Sequence, residues 1–308
     1  MMVSVCVLTY NHANYIRQTL DSILAQDLKD GMEVLIHDDA STDGTADIIR
    51  EYEAKYPDII KPLYETENQF SRSEIKNISG IYNFPRAQGK YIAMCEGDDY
   101  WTDPRKLTRQ VRYMEKNPGC TMCFHSAIQI NSDVVSKKQM RPYRKSQRIT
   151  PAEIIDKKSG YPTASLLLRA DLMKALPDFY MQAPIGDIPM QLTMAAAGYA
   201  YYIDEPMCAY RYNAPGSWTR DMYSSPDFKE KQLDYRDRML RMYDQYNEFT
   251  KHKYSGNIQR AKERIIYGTA LNIRDYDTIY DLWYVSFYHE LSLTDRAYLW
   301  TQRLLKKQ

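Results

Sequence analysis

Short apolar runs rich in β-branched residues alternate with stretches of helical spacing through the first two thirds of the chain. Residues 3–8 predict a buried strand, broken by Thr9-Tyr10-Asn11-His12; Ile16, Leu20, Ile23 and Leu24 then recur at helical spacing over 15–25. A second strand over 33–37 ends in Asp38-Asp39-Ala40-Ser41-Thr42-Asp43-Gly44-Thr45, and a helix over 46–55 stops before Pro57. Residues 59–65 predict a weaker strand and 68–87 a mixture of loop and helix. Residues 90–95 then form a buried strand that runs into Glu96-Gly97-Asp98-Asp99-Tyr100-Trp101.

Farther along, the pattern predicts a helix over 107–116, a strand over 120–130 and a basic, irregular, mobile loop over 136–159. A strand over 163–169 and a short helix over 171–176 follow. A helix over 188–197 begins directly after Gly186-Asp187, and two short strands span 199–203 and 207–212. Residues 213–226 hold two prolines and one glycine and mark a boundary, beyond which the pattern is helical with few breakers apart from Gly256 and Gly268. The expectation is an α/β domain over 1–220, a mainly parallel sheet flanked by helices, with an α-helical extension over 221–308. Ligands of such sheets bind outside the carboxyl ends of the strands. That rule gathers Thr9, Asp38-Asp39 and Asp98-Asp99 around one crevice.

Composition changes this picture little. With 26% charged and 44% hydrophobic residues, the 308-residue chain is globular, and a net charge of +1 gives no global field for nucleic acid. A phosphate-bearing ligand must therefore be held by local groups. The 28 tyrosines fill half-wet helix faces or stack on sugars. Five cysteines, the lack of a basic leader and the lack of an apolar run of ~20 residues point to a cytoplasmic protein. Cys120-x-x-Cys123 has no companion pair and lies in a strand-like run, so it reads as structural.

Neither G-x-G-x-x-G nor G-x-x-x-x-G-K-[ST] occurs, which removes the glycine-rich anion cradles. A diphosphate here needs a bridging cation, and adjacent aspartates at a strand end offer hard oxygen ligands for one. Spacing alone leaves a plain turn open as the other reading.

The combination VSVCVLTYNHANYI, EVLIHDDASTDGT and GKYIAMCEGDDYW resembles family 2 glycosyltransferases with the GT-A fold, over roughly residues 3–215. The resemblance implies that Thr9, with Tyr10 beside it, and Asp39 hold the nucleoside, Asp39 by hydrogen-bonding uracil. Asp38 then braces the turn, and Asp43 and Gly44 shape it. The family's D-x-D-type motif maps onto Asp98 and Asp99: Asp99 is expected to ligate Mn²⁺ or Mg²⁺, and Asp98 to reach the ribose, or the metal through water. Ile185-Gly186-Asp187-Ile188-Pro189-Met190 matches the helix start that carries the family's base, which makes Asp187 the candidate; it also suits an N-terminal cap. Related sequences often place a metal-binding histidine in a Y-R-x-H segment, where this chain has Asn213, a weaker ligand through its amide oxygen. Arg72 and Arg86 are candidate phosphate partners or solvated arginines. Trp101 and Trp218 are candidate acceptor platforms or packing residues, and His12, His37 and His125 read as loop or core residues.

The implied function is inverting, metal-dependent transfer from a nucleotide-sugar, a UDP-sugar by resemblance, to a hydroxyl of a glycan or lipid-linked acceptor in polysaccharide biosynthesis. Two rivals stay open: a sugar-nucleotide nucleotidyltransferase, whose glycine- and basic-rich phosphate loop is missing, and a non-catalytic glycan- or partner-binding module. The final segment mixes Ala297, Leu299, Trp300, Leu304 and Leu305 with Arg296, Arg303, Lys306 and Lys307. It suits peripheral contact with an anionic membrane, or a helix packed on its own domain with a solvated basic face.

Overall fold

The computed structural model describes residues 1–28, 31–72, 77–131, 134–212 and 222–306. The chain divides into two compact units, Met1–Asp221 and Met222–Gln308.

In the first unit β1 (Val3–Thr9) is flanked by β2 (Met32–Asp38) and β4 (Tyr91–Glu96), both parallel to it, and β3 (Ile60–Tyr64) extends the sheet beyond β2. Val3, Val5, Val7, Val34, Ile36 and Ala93 are fully buried. Strands that read as continuous apolar runs fit a sheet covered on both faces. α1 (Ile16–Leu24) and α2 (Thr45–Lys55) are the crossovers, and they bury Ile16, Leu20 and Ile23, and Ile49 and Tyr52, respectively. The other half of the sheet is mixed. The two-residue β5 (Tyr100–Trp101) and α3 (Lys106–Lys116) lead to β6 (Cys120–Asn131), which pairs antiparallel with β7 (Val134–Met140). Then come β8 (Gln147–Ile149), α4 (Pro151–Ile155), β9 (Leu167–Arg169), α5 (Ala170–Met173), α6 (Asp178–Met181), α7 (Asp187–Ala197) and β10 (Tyr199–Tyr212). Among the described residues the order is β3-β2-β1-β4-β9-β6-β10-β5, with β7 on β6 and β8 on β10.

Two expectations change. Residues 136–159, expected to be irregular, contain most of β7, all of β8 and α4. The helix start was written in the chain: Thr150 and Glu153 form a reciprocal capping box around Pro151. The two expected strands at 199–203 and 207–212 are one strand, β10, with irregular register between Ile203 and Cys208. The polar Asp204-Glu205 step bulges outward instead of turning, because Arg141 and Arg109 each grip one of these carboxylates through two N–H groups.

The second unit is helical: α8 (Phe228–Phe249), α9 (Ser255–Ile273), α10 (Tyr276–Ile279), α11 (Val285–Glu290) and α12 (Leu293–Lys306). Met239, Met242 and Tyr246 of α8 and Ile258, Ala261 and Ala270 of α9 are buried. Gly256 and Gly268 lie within α9 and do not break it. None of the described helices is long and apolar enough to cross a membrane.

Candidate active site

At the carboxyl ends of β1 and β2, two loops are stitched together by side-chain-to-backbone hydrogen bonds. Asn11 accepts from the Thr42 amide at 2.8 Å while its own amide donates to Ser41 Oγ at 2.9 Å. Asp43 accepts from the amides of Ala13 and Thr45, and the His12 amide donates to Thr45 Oγ1 at 2.8 Å. Gly44, at φ +91°, supplies the left-handed residue that starts α2. Asp38 is buried and accepts from Ser41 Oγ at 2.5 Å, so it braces the turn. Burial raises its pKa, against that hydrogen bond.

Asp39 is engaged by backbone amides. It is 2% exposed, and its two oxygens accept the Gln69 and Phe70 amides at 2.6 and 3.0 Å. Burial alone would raise this carboxyl, but His37 and the two amides hold it below the ordinary value. Asp39 therefore pins residues 69–70 beside the strand end, each of its oxygens accepting one amide. Thr9 is buried there with no hydrogen bond to its Oγ1, and Tyr10 is 41% exposed.

The β4 end approaches the β1 end because residue 97 is glycine. A Cβ on Gly97 would stand 2.6 Å from Thr9 Oγ1 and 2.8 Å from His12 Nδ1. Beyond it, Asp98 is half-buried and Asp99 is 1% exposed. Asp99 Oδ1 accepts the Arg211 amide at 2.9 Å, but Oδ2 is buried without a hydrogen-bond partner among the described residues. Burial, then the charges of Asp98 and Glu96, push Asp99 well above the usual carboxylate range, against Arg211. The backbone of the motif is held firmly: Thr19 Oγ1 donates to the carbonyls of Gly97 and Asp99 at 2.9 and 2.7 Å, and Arg211 donates to the Asp98 carbonyl at 3.2 Å.

Asp187 opens α7 directly after Gly186 and is half-buried. It is close enough to Glu96 for its charge to matter: burial first, then Asp98 and Asp187, push Glu96 up to about 8. On its other side Lys157, hydrogen-bonded to Gln191 one turn along α7, is lowered to about 8 by burial, with Asp187 opposing. The fold thus brings Asp98, Asp99, Glu96 and Asp187 into one acidic neighbourhood. His12 is within reach of the charges of Asp98, Asp43 and Asp38, and burial lowers its pKa against all three. Sequence reasoning left Glu96 and Arg211 without a role and read His12 as a loop or core residue. Glu96 stands two residues before Asp98, which was the signal available.

Other expected residues lie elsewhere. Arg86 donates to the Lys61 carbonyl at 2.9 Å and faces Cys6 and Glu33, in the amino-terminal half of the sheet and away from the crevice. Arg72 pairs with Glu67 at the surface. Trp101 is no open platform: it is 4% exposed, its indole N–H donates to the Ala164 carbonyl at 2.9 Å, and Lys106 Nζ sits 4.2 Å from its ring centroid. The β5 pairing of Trp101 with Cys208 turns the indole into the core. Asn213 and Trp218 lie outside the described residues. Cys120 and Cys123 are free, buried thiols.

A family model, glycosyl transferase family 2, matches residues 4–176, the stretch that contains both stitched loops and the Asp98-Asp99 turn. The chain belongs to glycosyl transferase family 2. Among family relatives, an uncharacterized protein of Mycobacterium tuberculosis is 33% identical over 216 residues, 70% of this chain and 60% of that protein, so the chain spans about 60% of that relative's length. Two solved structures share the fold. One is residues 1–349 of TarS from S. aureus in complex with UDP-GlcNAc, at TM-score 0.56 and 19% identity, covering 88% of this chain and 81% of that one. The other is the mannosyltransferase PcManGT from Pyrobaculum calidifontis in complex with GDP-Man and Mn²⁺, at TM-score 0.55 and 17% identity, covering 98% and 84%.

The family 2 site has a donor set that fits a divalent cation. Asp99 Oδ2 is a hard oxygen, buried and unpaired, beside a second carboxylate. Among the described residues no three His, Cys, Asp or Glu side chains form a ready cluster, so these two aspartates would hold a cation only together with ligand oxygens, water or residues outside that set.

Proposed function

We propose that this family 2 glycosyltransferase is a metal-dependent, inverting enzyme of the cytoplasm. It moves a sugar from a UDP-sugar to a hydroxyl of a glycan or lipid-linked acceptor in polysaccharide biosynthesis. The observation that carries this reading is the unpaired, buried oxygen of Asp99, placed at a strand end with Asp187 across the same acidic neighbourhood.

Thr9 and Tyr10 line the nucleoside end of the crevice, and Asp39 acts by holding residues 69–70 as its wall. A uracil N–H reaches Asp39 only where those amides leave a lone pair. Asp99 and Asp98, with Asn213 as a further ligand, hold Mn²⁺ or Mg²⁺, which would neutralise charge on the departing diphosphate. Asp187 takes the proton from the acceptor hydroxyl, whose oxygen then bonds to the anomeric carbon as the bond to the diphosphate oxygen breaks. One displacement from the face opposite the leaving group inverts that centre. Support for the donor class comes from the two fold neighbours, both solved with a nucleoside-diphosphate sugar, and one also with Mn²⁺. The free, buried thiols suit a reducing compartment.

The test is a panel of UDP- and GDP-sugars measured for thermal stabilisation and hydrolysis with and without Mn²⁺. Stabilisation by a UDP-sugar that depends on Mn²⁺ is expected. Equal response to GDP-sugars overturns the uridine assignment, and no response to either overturns the donor class.

A further inference from the structure

Helix α12 carries apolar residues on two faces, and only one is covered. Leu299 turns inward against Ala270 and Ile279. Leu293, Ala297, Trp300 and Leu304 recur at i, i+4, i+7 and i+11, which at about 100° per residue is a single stripe. All four are exposed, Leu293 by 77% and Trp300 by 57%. Thr294, Tyr298, Thr301 and Leu305, also exposed, widen this uncharged arc on one side.

The other flank is cationic. Arg296 and Arg303 are half-buried, with guanidinium groups 6.0 Å from the Tyr288 ring and 4.4 Å from the Tyr280 ring. Asp295 is the only acidic residue from 293 to 308, and it accepts from Ser292 Oγ at the helix start. The helix packs on its own unit through Leu299, and its described basic residues, Arg296 and Arg303, lie beside that packed face. The cations lean on tyrosines, and the apolar stripe faces water.

We propose that α12 is a membrane-docking helix that lies in the headgroup region of an anionic bilayer. Leu293, Trp300 and Leu304 enter the acyl boundary, and Arg296 and Arg303 meet lipid phosphates. Fourteen residues make a helix of about 21 Å, too short to span and suited to lying in the plane. Tryptophan and leucine on one face beside arginines match the polarity gradient of that layer. Charge separates this occupant from a second copy of the chain. The exposed arc has no carboxylate to offer the arginines, whereas anionic headgroups offer phosphates, and five large side chains on one short helix, Leu293, Tyr298, Trp300, Leu304 and Leu305, fall short of the ~800 Å² per partner that a stable dimer buries. The proposal is independent of the transferase reading and stands or falls without it.

The experiment uses the full chain in co-sedimentation with vesicles of phosphatidylcholine alone or mixed with phosphatidylglycerol, together with sedimentation velocity without lipid. Binding to the anionic vesicles, weakened by salt, is expected. Trp300→Glu, and separately Leu293→Glu at the other end of the stripe, should each lower partitioning by about tenfold or more with melting temperature unchanged. Arg296→Gln with Arg303→Gln should lower it on anionic vesicles only. No binding to anionic vesicles, or binding that both glutamate variants leave intact, overturns the proposal. So does a lipid-free dimer that the same variants split.

Discussion

In the first unit, Asp99 is 1% exposed and keeps one oxygen without a hydrogen bond; in the second, Leu293 stands 77% exposed at the start of α12. The two residues break opposite rules. An unpaired buried carboxylate costs free energy, and so does an apolar stripe held in water. Neither is forced by the surrounding fold: the motif's backbone is fully engaged by Thr19 and Arg211, and α12 already packs through Leu299. The difference teaches what each site lacks. The first needs positive charge at a fixed point, which suits a small cation and a diphosphate; the second needs an extended apolar phase, which suits a surface.

The largest expected effect separates chemistry from binding within the first unit. Asp187→Ala should lower turnover by about 10²- to 10⁴-fold, the range of a lost general base, while UDP affinity and melting temperature stay near wild type. Steady-state kinetics beside UDP titration checks this. Equal loss of donor affinity would move Asp187 from base to donor contact. Asp99→Asn tests the same crevice from the stability side. Asparagine keeps an oxygen for the Arg211 amide and removes the buried charge, so the variant without metal should gain about 1–3 kcal/mol in denaturant unfolding. Its Mn²⁺-dependent stabilisation should vanish. A variant that loses stability would mean that Asp99 is a structural carboxylate.

Gly97→Ala comes next. Its methyl group would meet Thr9 and His12, both held between packed loops, and the overpacking should cost about 1–3 kcal/mol and weaken donor binding. Chemical denaturation and UDP titration of the same sample decide it. A neutral result would show that the β1 and β4 ends can part, contrary to a crevice set by close backbone approach.

The strand-end crevice was legible because period and punctuation both survive in sequence. Short apolar runs give β1, β2 and β4, and each ends in polar residues that a parallel sheet must place on one edge. Residues whose role depends on tertiary neighbours were not legible. Glu96 gains its meaning from Asp187, which is far away in sequence, and Arg211 from the turn it clamps. Trp101 follows the motif directly, yet a two-residue strand pairing with β10 turns it inward, and no local pattern announces so short a strand. That Asp39 also holds the Gln69 and Phe70 amides has no local signal, because the partners lie 30 and 31 residues on. In the second unit the amphipathic mixture of α12 was visible, but which face it buries was not. Leu299 and Trp300 are adjacent and equally apolar in any window average.

Trp101 and Trp300 give the smallest effects and the cleanest contrast. Trp101→Phe removes the hydrogen bond to the Ala164 carbonyl and leaves that buried oxygen unpaired, so it should cost about 1–3 kcal/mol without changing acceptor KM. An acceptor platform would show the reverse, normal stability with a raised KM. Trp300→Ser removes a larger exposed apolar surface from a helix whose packing residue is Leu299, so stability should move by no more than about 0.5 kcal/mol. Turnover with a soluble acceptor should be unchanged. A loss above that bound would mean that the stripe is already covered within the folded chain, and the contrast between a filled interior and an open apolar face would fail at α12.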